Sequence, residues 1–293
     1  MSESSTLEKP ESWLWHLLGL INPTIVMASN IVGGFWVASG VIYMLGLGPL
    51  LDVFFGRASK PKPPRESGRP FESLLYVHAF LQFAVLGTLL YRASIDGSAW
   101  TTWVAALSTG ISSGVSGIIV AHELGHTKKG SFSWWVGRLN LLSVLYLHFT
   151  TEHNFTHHKH VSTVKDPATA LRGESLWWFV ARTVPGQFRD AAAVHHRKGR
   201  TGFRNPVYRG LLLQILLVVG MFVAFGPWIT GAFLAQAFFA IFLLEYINYI
   251  RHYGLLREVG ERQTKMHSWQ SEERWSRWTL LELTRHPAHH LKA

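Results

Sequence analysis

Clusters of histidine are the feature of this sequence with the clearest chemical meaning. The chain has 293 residues, 16 of them histidine, and no cysteine, which excludes a disulfide scaffold and any thiolate-bound zinc or iron–sulfur site. Imidazole nitrogen favours iron, copper, zinc or nickel. Nine histidines form four clusters of candidate metal ligands: His122 and His126; His153, His157 and His158; His252; and His286, His289 and His290.

The spacing within the clusters suggests shared metal ions. His122 and His126 stand four residues apart in His-Glu-Leu-Gly-His, and His153 and His157 repeat that spacing. Residues i and i+4 lie on one face of a helix, so each pair can bind one ion. A catalytic zinc uses only three protein ligands. Nine imidazoles therefore suit two metal ions, with four or five nitrogens each.

Two other interpretations of the histidines stay open. His122, Glu123 and His126 also match a zinc metalloprotease pattern with Glu123 as general base, for which Asp52 is the only candidate third ligand. That interpretation leaves the other clusters unexplained. A non-catalytic metal-binding or transport protein is the second alternative. The seven remaining histidines are predicted to be core or interfacial residues: His16, His78, His148, His160, His195, His196 and His267.

Long apolar runs must position these clusters. Hydrophobic residues make up 48% of the chain, which excludes a disordered protein. Residues 210–244 carry no charged side chain, and Gly226-Pro227 divides them into two lengths that could each cross a bilayer. The pattern predicts an all-α fold, a single domain over 1–293 with six transmembrane helices at about 12–32, 34–55, 72–92, 100–121, 208–226 and 228–250.

Basic residues indicate how these helices are oriented. The formal net charge is +10, and 25 of the 28 Lys and Arg residues lie in segments 56–70, 122–207 and 251–293. Counting spans places all three segments on one side, which the positive-inside rule makes cytoplasmic. The charge is therefore a topology signal. No nucleic-acid partner is expected, because no basic segment is interleaved with stacking aromatics.

Three shorter apolar segments are predicted to lie along the cytoplasmic interface: 133–149, 176–184 and 275–283. If the first of them crossed the membrane, the histidine clusters before and after it would lie on opposite sides. We therefore predict a histidine-rich helical cap on the cytoplasmic ends of the bundle.

With these residues in place, the sequence resembles the membrane alkane 1-monooxygenases, which are related to membrane fatty acid desaturases and to xylene monooxygenase. The resemblance is nearly full length. It is carried by HELGH with the following Lys128-Lys129, EHNFTHH with the following Asp166-Pro-Ala-Thr169, Gly173-Glu-Ser175, and NYIRHYGLLR, in the family's order.

The resemblance implies a specific chemistry. The nine clustered histidines would bind two non-haem irons, and the enzyme would use O2 to hydroxylate the terminal methyl group of medium-chain n-alkanes. Hydroxylation of aromatic methyl groups, or desaturation or hydroxylation of a fatty acyl chain, is the alternative. Electrons would come from rubredoxin or from a ferredoxin-type donor with its reductase, and the protein would lie in the bacterial inner membrane. The carboxylates expected to orient the imidazoles are Glu123, Glu152, Asp166 and Glu245.

The sequence departs from the family in its last two clusters. Arg251 precedes His252 where the family usually has an acidic residue, which removes one candidate partner for an imidazole. The fourth cluster contains Pro287 and lies three residues before the end of the sequence. Because a residue before proline disfavours helical geometry, we expect His286 to be non-helical.

Overall fold

The computed structural model describes residues 11–58 and 68–292. Residues 59–67, which hold most of the basic loop predicted at 56–70, lie outside the described residues. Helices account for the regular structure, and in the described ranges no β-strand forms beyond an isolated bridge between Arg57 and Glu273. The all-α prediction is confirmed.

Among the described residues, five helices are long and apolar enough to cross a membrane, and four of them come first in the chain. They are α1 (Trp13–Val32), α2 (Gly34–Phe55), α3 (Arg69–Asp96) and α4 (Trp100–Gly125). Each overlaps a predicted span, with α3 and α4 a few residues longer than expected.

The middle of the chain folds into shorter helices. Helix α5 (Phe132–Ser143) has 12 residues and is about 18 Å long, too short to cross a bilayer, in keeping with the prediction for 133–149. Helix α6 comprises α-helical Phe149–Glu152, π-helical His153–His157 and a last turn at His158–His160. Helix α7 (Leu176–His196) runs well beyond the predicted 176–184.

Helix α8 (Pro206–His252) is the fifth long apolar helix, with 47 residues. An unbroken helix of that length would measure about 70 Å, roughly twice the hydrocarbon core of a bilayer. It is interrupted at Gly226, where φ is 78° and ψ is −174°, and Pro227 follows. Glycine tolerates this backbone and proline lacks the N–H that a continuous helix needs. The predicted spans 208–226 and 228–250 correspond to the two parts of α8.

The C-terminal segment contains two short helices, α9 (Arg274–Thr279) and α10 (His286–Lys292). The predicted helix at 275–283 is therefore shorter than expected. It ends at Thr279 because Leu281 and Glu282 adopt left-handed φ values of 54° and 66°, which an α-helix cannot contain.

Helix α4 is the centre of the bundle. Of its apolar window 89% is buried, against 39% or less for the other long helices. A buried hydrogen-bond network fixes it to its neighbours: Gln82 of α3 donates to Ser113 of α4 and to Ser143 of α5, both at 3.0 Å, and Ser113 donates to Gln236 of α8 at 3.0 Å. Buried polar groups need such partners. The network therefore holds in register the helix that ends in His122 and His126.

The opposite end of the bundle is fastened by Arg92 of α3. Its guanidinium donates to the carbonyl oxygens of Asn30 at 2.7 Å and Ile31 at 2.6 Å, at the end of α1, and to Asp96 at 3.1 Å. Gly33 lies against this guanidinium, since a Cβ built on it would be 2.5 Å from Arg92 Cζ.

We expect Gly33→Ala to lower the unfolding temperature of the detergent-solubilised protein more than Gly34→Ala does. Both glycines have positive φ values, 78° and 58°, and a non-glycine residue held in such a region costs about 1–3 kcal/mol. Only at Gly33 would the new methyl group collide with Arg92, because nothing lies within 4 Å of a Cβ at Gly34. Tryptophan fluorescence during heating measures both shifts, and equal shifts would contradict a fixed Arg92.

Candidate metal centre

The nine clustered histidines converge where the ends of α4, α6, α8 and α10 meet. The structure sorts them into two groups, and within each group the candidate ligand atoms lie within 4.8 Å of one another. The first group is His122, His126, His153, His158 and His289; the second group is His157, His252, His286 and His290.

The π-helical turn in α6 divides the second sequence cluster between the groups. The spacing of His153 and His157 predicts a shared face, yet they lie in different groups. Residues 153–157 form i to i+5 hydrogen bonds, which widen the turn. His153 is consequently paired with His158, with 2.9 Å between their Nε2 atoms, and His157 is turned towards the second group.

Helix α10 contributes to both groups. His286 and His290, four residues apart, have their Nε2 atoms 2.9 Å from each other, while His289 Nε2 lies 3.2 Å from His158 Nε2. The expectation that His286 is non-helical was wrong: its φ and ψ are −52° and −42°, and it begins α10. Pro287 fits the first turn of the helix because an N–H there needs no helical acceptor.

Arg251, which stands where the family usually has an acidic residue, contacts the loop after α8. It donates to the carbonyl oxygen of Trp269 at 3.0 Å. The adjacent His252 is fully buried, and its Nδ1 lies 3.3 Å from the carbonyl oxygen of His267. A backbone carbonyl, and not an acidic side chain, therefore lies beside this ring nitrogen.

Two of the four expected carboxylates contact clustered histidines. Glu123 Oε1 lies 3.0 Å from His122 Nδ1 and 3.8 Å from His289 Nδ1. Asp166 Oδ2 lies 3.0 Å from His157 Nδ1 and accepts from Thr169 at 2.6 Å. A carboxylate on the outer ring nitrogen leaves Nε2 as the free lone pair and fixes the plane of the ring.

The other two carboxylates, Glu152 and Glu245, are buried beside the site. Glu245 accepts from Tyr146 at 3.0 Å and from Gln187 at 2.9 Å. In the described part of the chain, neither Glu152 nor Glu245 has a hydrogen bond to a clustered histidine. Burial and the nearby Asp166 and Glu245 carboxylates raise the pKa of Glu152 well above its usual range.

Tyr146 and Gln187 are polar residues that the sequence analysis missed. Both are fully buried and hold Glu245 in place. The polar pair Thr183 and Gln187, four residues apart on the otherwise apolar face of α7, was the only signal of this network.

Burial disfavours the charged form of six of the clustered imidazoles. Together with the nearby imidazole of His122, it lowers the pKa of His126 to about 4 and that of His289 to about 2. Burial first and adjacent imidazoles second lower the pKa values of four more members: His153, His158, His286 and His290. Neutral imidazole is the form that binds metal.

The donor set fits metal ions. The Nε2 atoms of His122, His126, His157 and His252 are buried and have no hydrogen-bond partner in the structure. Buried polar atoms are normally satisfied, and several lone pairs facing a common point have a cation as their natural partner. The absence of any thiolate restricts the choice to metals that accept imidazole.

The zinc metalloprotease interpretation lacks its candidate third metal ligand. Asp52 belongs to neither group. It accepts from the backbone N–H of Ser276 at 2.8 Å and from the Ser276 hydroxyl, and so anchors α9 on α2. The seven other histidines also lie outside both groups. Among them His195, predicted to be a core or interfacial residue, is buried.

The chain is similar to several known proteins. The family model described as fatty acid desaturase matches residues 98–293. Alkane 1-monooxygenase 1 of Pseudomonas aeruginosa is 37% identical, over 97% of this chain and 80% of the relative. Alkane 1-monooxygenase 1 of Alcanivorax borkumensis is 32% identical, over 99% and 80%.

A more distant relative is the xylene/toluene monooxygenase hydroxylase component of Pseudomonas putida, 29% identical over 61% of this chain and 50% of its own. The matches to these two alkane 1-monooxygenases cover nearly the whole chain. The chain belongs to the fatty acid desaturase family and, within it, to the alkane 1-monooxygenases.

Proposed function

We propose that this protein is an O2-dependent monooxygenase that converts medium-chain n-alkanes to 1-alkanols at a centre of two non-haem iron ions. The observation that carries the proposal is the convergence of nine imidazoles, six of them buried and three partly buried, into two adjacent groups. Named alkane 1-monooxygenases among its relatives support the choice of substrate.

The reaction requires a redox metal. An alkane, O2, two electrons and two protons give an alkanol and water, and no protein side chain can attack an unactivated C–H bond. Bound iron would supply the activation of O2 that this needs, whereas zinc has no redox chemistry. The first group would hold one ion and the second group the other.

The protein's own residues have three tasks at this centre. Glu123 orients His122, and Asp166 orients His157, through their Nδ1 atoms. Burial excludes water from the imidazoles, which protects a reactive centre from side reactions. Tyr146 and Gln187 hold the buried carboxylate of Glu245 beside the site.

We further propose that α8 crosses the membrane twice, on either side of Gly226, so that six spans carry a helical cap on the cytoplasmic side of the bacterial inner membrane. The location of 25 of 28 basic residues supports this orientation. The metal centre would lie at the cytoplasmic ends of α4 and α8, where an oily substrate can arrive from the lipid.

The electron donor would be rubredoxin or a ferredoxin-type protein with its reductase. Excess positive charge on the cytoplasmic face would speed the approach of an acidic donor, an effect that salt weakens.

An aromatic methyl group is the second candidate substrate, because the xylene/toluene monooxygenase component is also similar to this chain. Shape of the substrate pocket separates the two activities, since both use the same type of centre.

Reconstituted protein should oxidise n-octane to 1-octanol when supplied with rubredoxin, its reductase, NADH and O2. The same preparation should give less product from p-xylene and from a fatty acid, and gas chromatography of extracts measures all three. A clear benzylic alcohol without any alkanol would overturn the proposed substrate but not the proposed metal centre.

Purified protein should contain about two irons per chain. His157→Ala should reduce this to about one and abolish hydroxylation, because it removes one of the four members of the second group. The matched control is His160→Ala, three residues later on α6 and outside both groups. Elemental analysis measures the metal content. One zinc and no iron in the unsubstituted protein, or full iron content in His157→Ala, would contradict the assignment.

A further inference from the structure

Residues from the first and last parts of the described chain meet at the buried guanidinium of Arg277. Arg277 of α9 is fully buried. Its Nη2 lies 2.7 Å from Glu11 Oε2 and 3.3 Å from Glu282 Oε1, and its Nε lies 3.3 Å from Glu282 Oε2. A buried cation requires such partners, since an unpaired charge in the interior is strongly destabilising. Residues 266 positions apart are thereby tied together.

The N-terminal segment makes further contacts with the same place. Trp278 donates through its indole N–H to Glu11 Oε1 at 2.8 Å, and its ring stacks on that of Trp15 at 4.7 Å. His16, also fully buried, has its Nε2 2.9 Å from Glu282 Oε1. We name this set of five residues the terminal clamp: Glu11, His16, Arg277, Trp278 and Glu282.

The terminal clamp holds a strained turn. Leu281 and Glu282 both have left-handed φ values, a conformation that costs non-glycine residues free energy and persists only where its surroundings enforce it. The carboxylate of Glu282 is fixed by Arg277 and His16, and Leu281 packs against the core cluster that contains Val120 and Leu124 of α4. This turn sets the direction in which the chain enters α10.

Helix α10 cannot set its own position. It has seven residues, fewer than an isolated helix needs to be stable. It nevertheless carries His286 and His290, half of the second group, and His289, one of the five members of the first group. The second group therefore depends on the terminal clamp more strongly than the first group does.

We propose that the terminal clamp positions α10, and that Arg277 and the N-terminal residues Glu11 and His16 are positioning residues for the second histidine group. This proposal rests on the proposed function, because it takes the two histidine groups to bind metal ions. Glu11, just before α1, and His16, within α1, thus help to position a site whose candidate ligands lie far along the sequence.

Metal content tests the unequal dependence. Arg277→Gln should lower the iron content from about two to about one per chain, while the helical circular dichroism and the monodisperse elution in detergent are retained. Arg277→Lys, which keeps the charge but not the forked geometry, should lie between Arg277→Gln and the unsubstituted protein. The control is Glu272→Gln, which removes the partner of Arg285 at 3.2 Å in the same segment, where both side chains are 30% exposed, and should leave two irons. Two irons per chain in Arg277→Gln would overturn the proposal. So would an equal loss of iron from both histidine groups in an Arg277→Gln protein that remains folded.

Thiol labelling tests the position of α10 without metal. The chain has no cysteine, and Thr284 in the turn before α10 is 2% exposed. In chelator-treated protein, Thr284→Cys should react slowly with a maleimide. The double variant that carries both Thr284→Cys and Arg277→Gln should react at least tenfold faster. Combination with Glu272→Gln should leave the slow rate unchanged. Equal rates with and without Arg277→Gln would overturn the clamp, whatever the metal content. An unsubstituted protein that binds no iron but shows the expected labelling would instead refute only the proposed function.

Discussion

Nine imidazoles in contact with one another, six of them buried, are the constraint on which the rest of this structure depends. Their Nε2 lone pairs converge, and several have no hydrogen-bond partner among protein atoms. Such an arrangement is unfavourable for side chains alone, because buried polar atoms need partners and crowding disfavours the charged form of an imidazole. The surrounding helices, carboxylates and turns have to hold the rings in place, and each does so by a different physical means.

Irregular helix geometry distributes the ligands. A regular α-helix would place His153 and His157 on one face, but the π-helical turn separates them and pairs His153 with His158. In α10 the regular spacing of His286 and His290 serves the second group, and His289 reaches the first. Two adjacent sites are thus built from shared helices, which ties their geometries together.

Support for the site comes from far along the chain. The network of Gln82, Ser113 and Gln236 fixes α4 in the middle of the bundle, and Asp52 of α2 anchors α9 through Ser276. Glu11 and His16 reach the same region from the N-terminus. These contacts join residues between 31 and 266 positions apart, so they leave no local pattern in the sequence.

The sequence by itself determined the long apolar helices, the break at Gly226-Pro227 and the nine candidate ligands, because hydrophobic run length and residue chemistry are local properties. It also identified Glu123 and Asp166, which stand close in sequence to the histidines that they contact. Only the tertiary structure decided which histidines share a group, that Glu245 is held by Tyr146 and Gln187, and that the turn at Leu281 and Glu282 is clamped by the N-terminus. These features depend on a widened helical turn, on left-handed backbone angles and on long-range contacts, each of which is selected by packing in three dimensions and not by neighbouring residues.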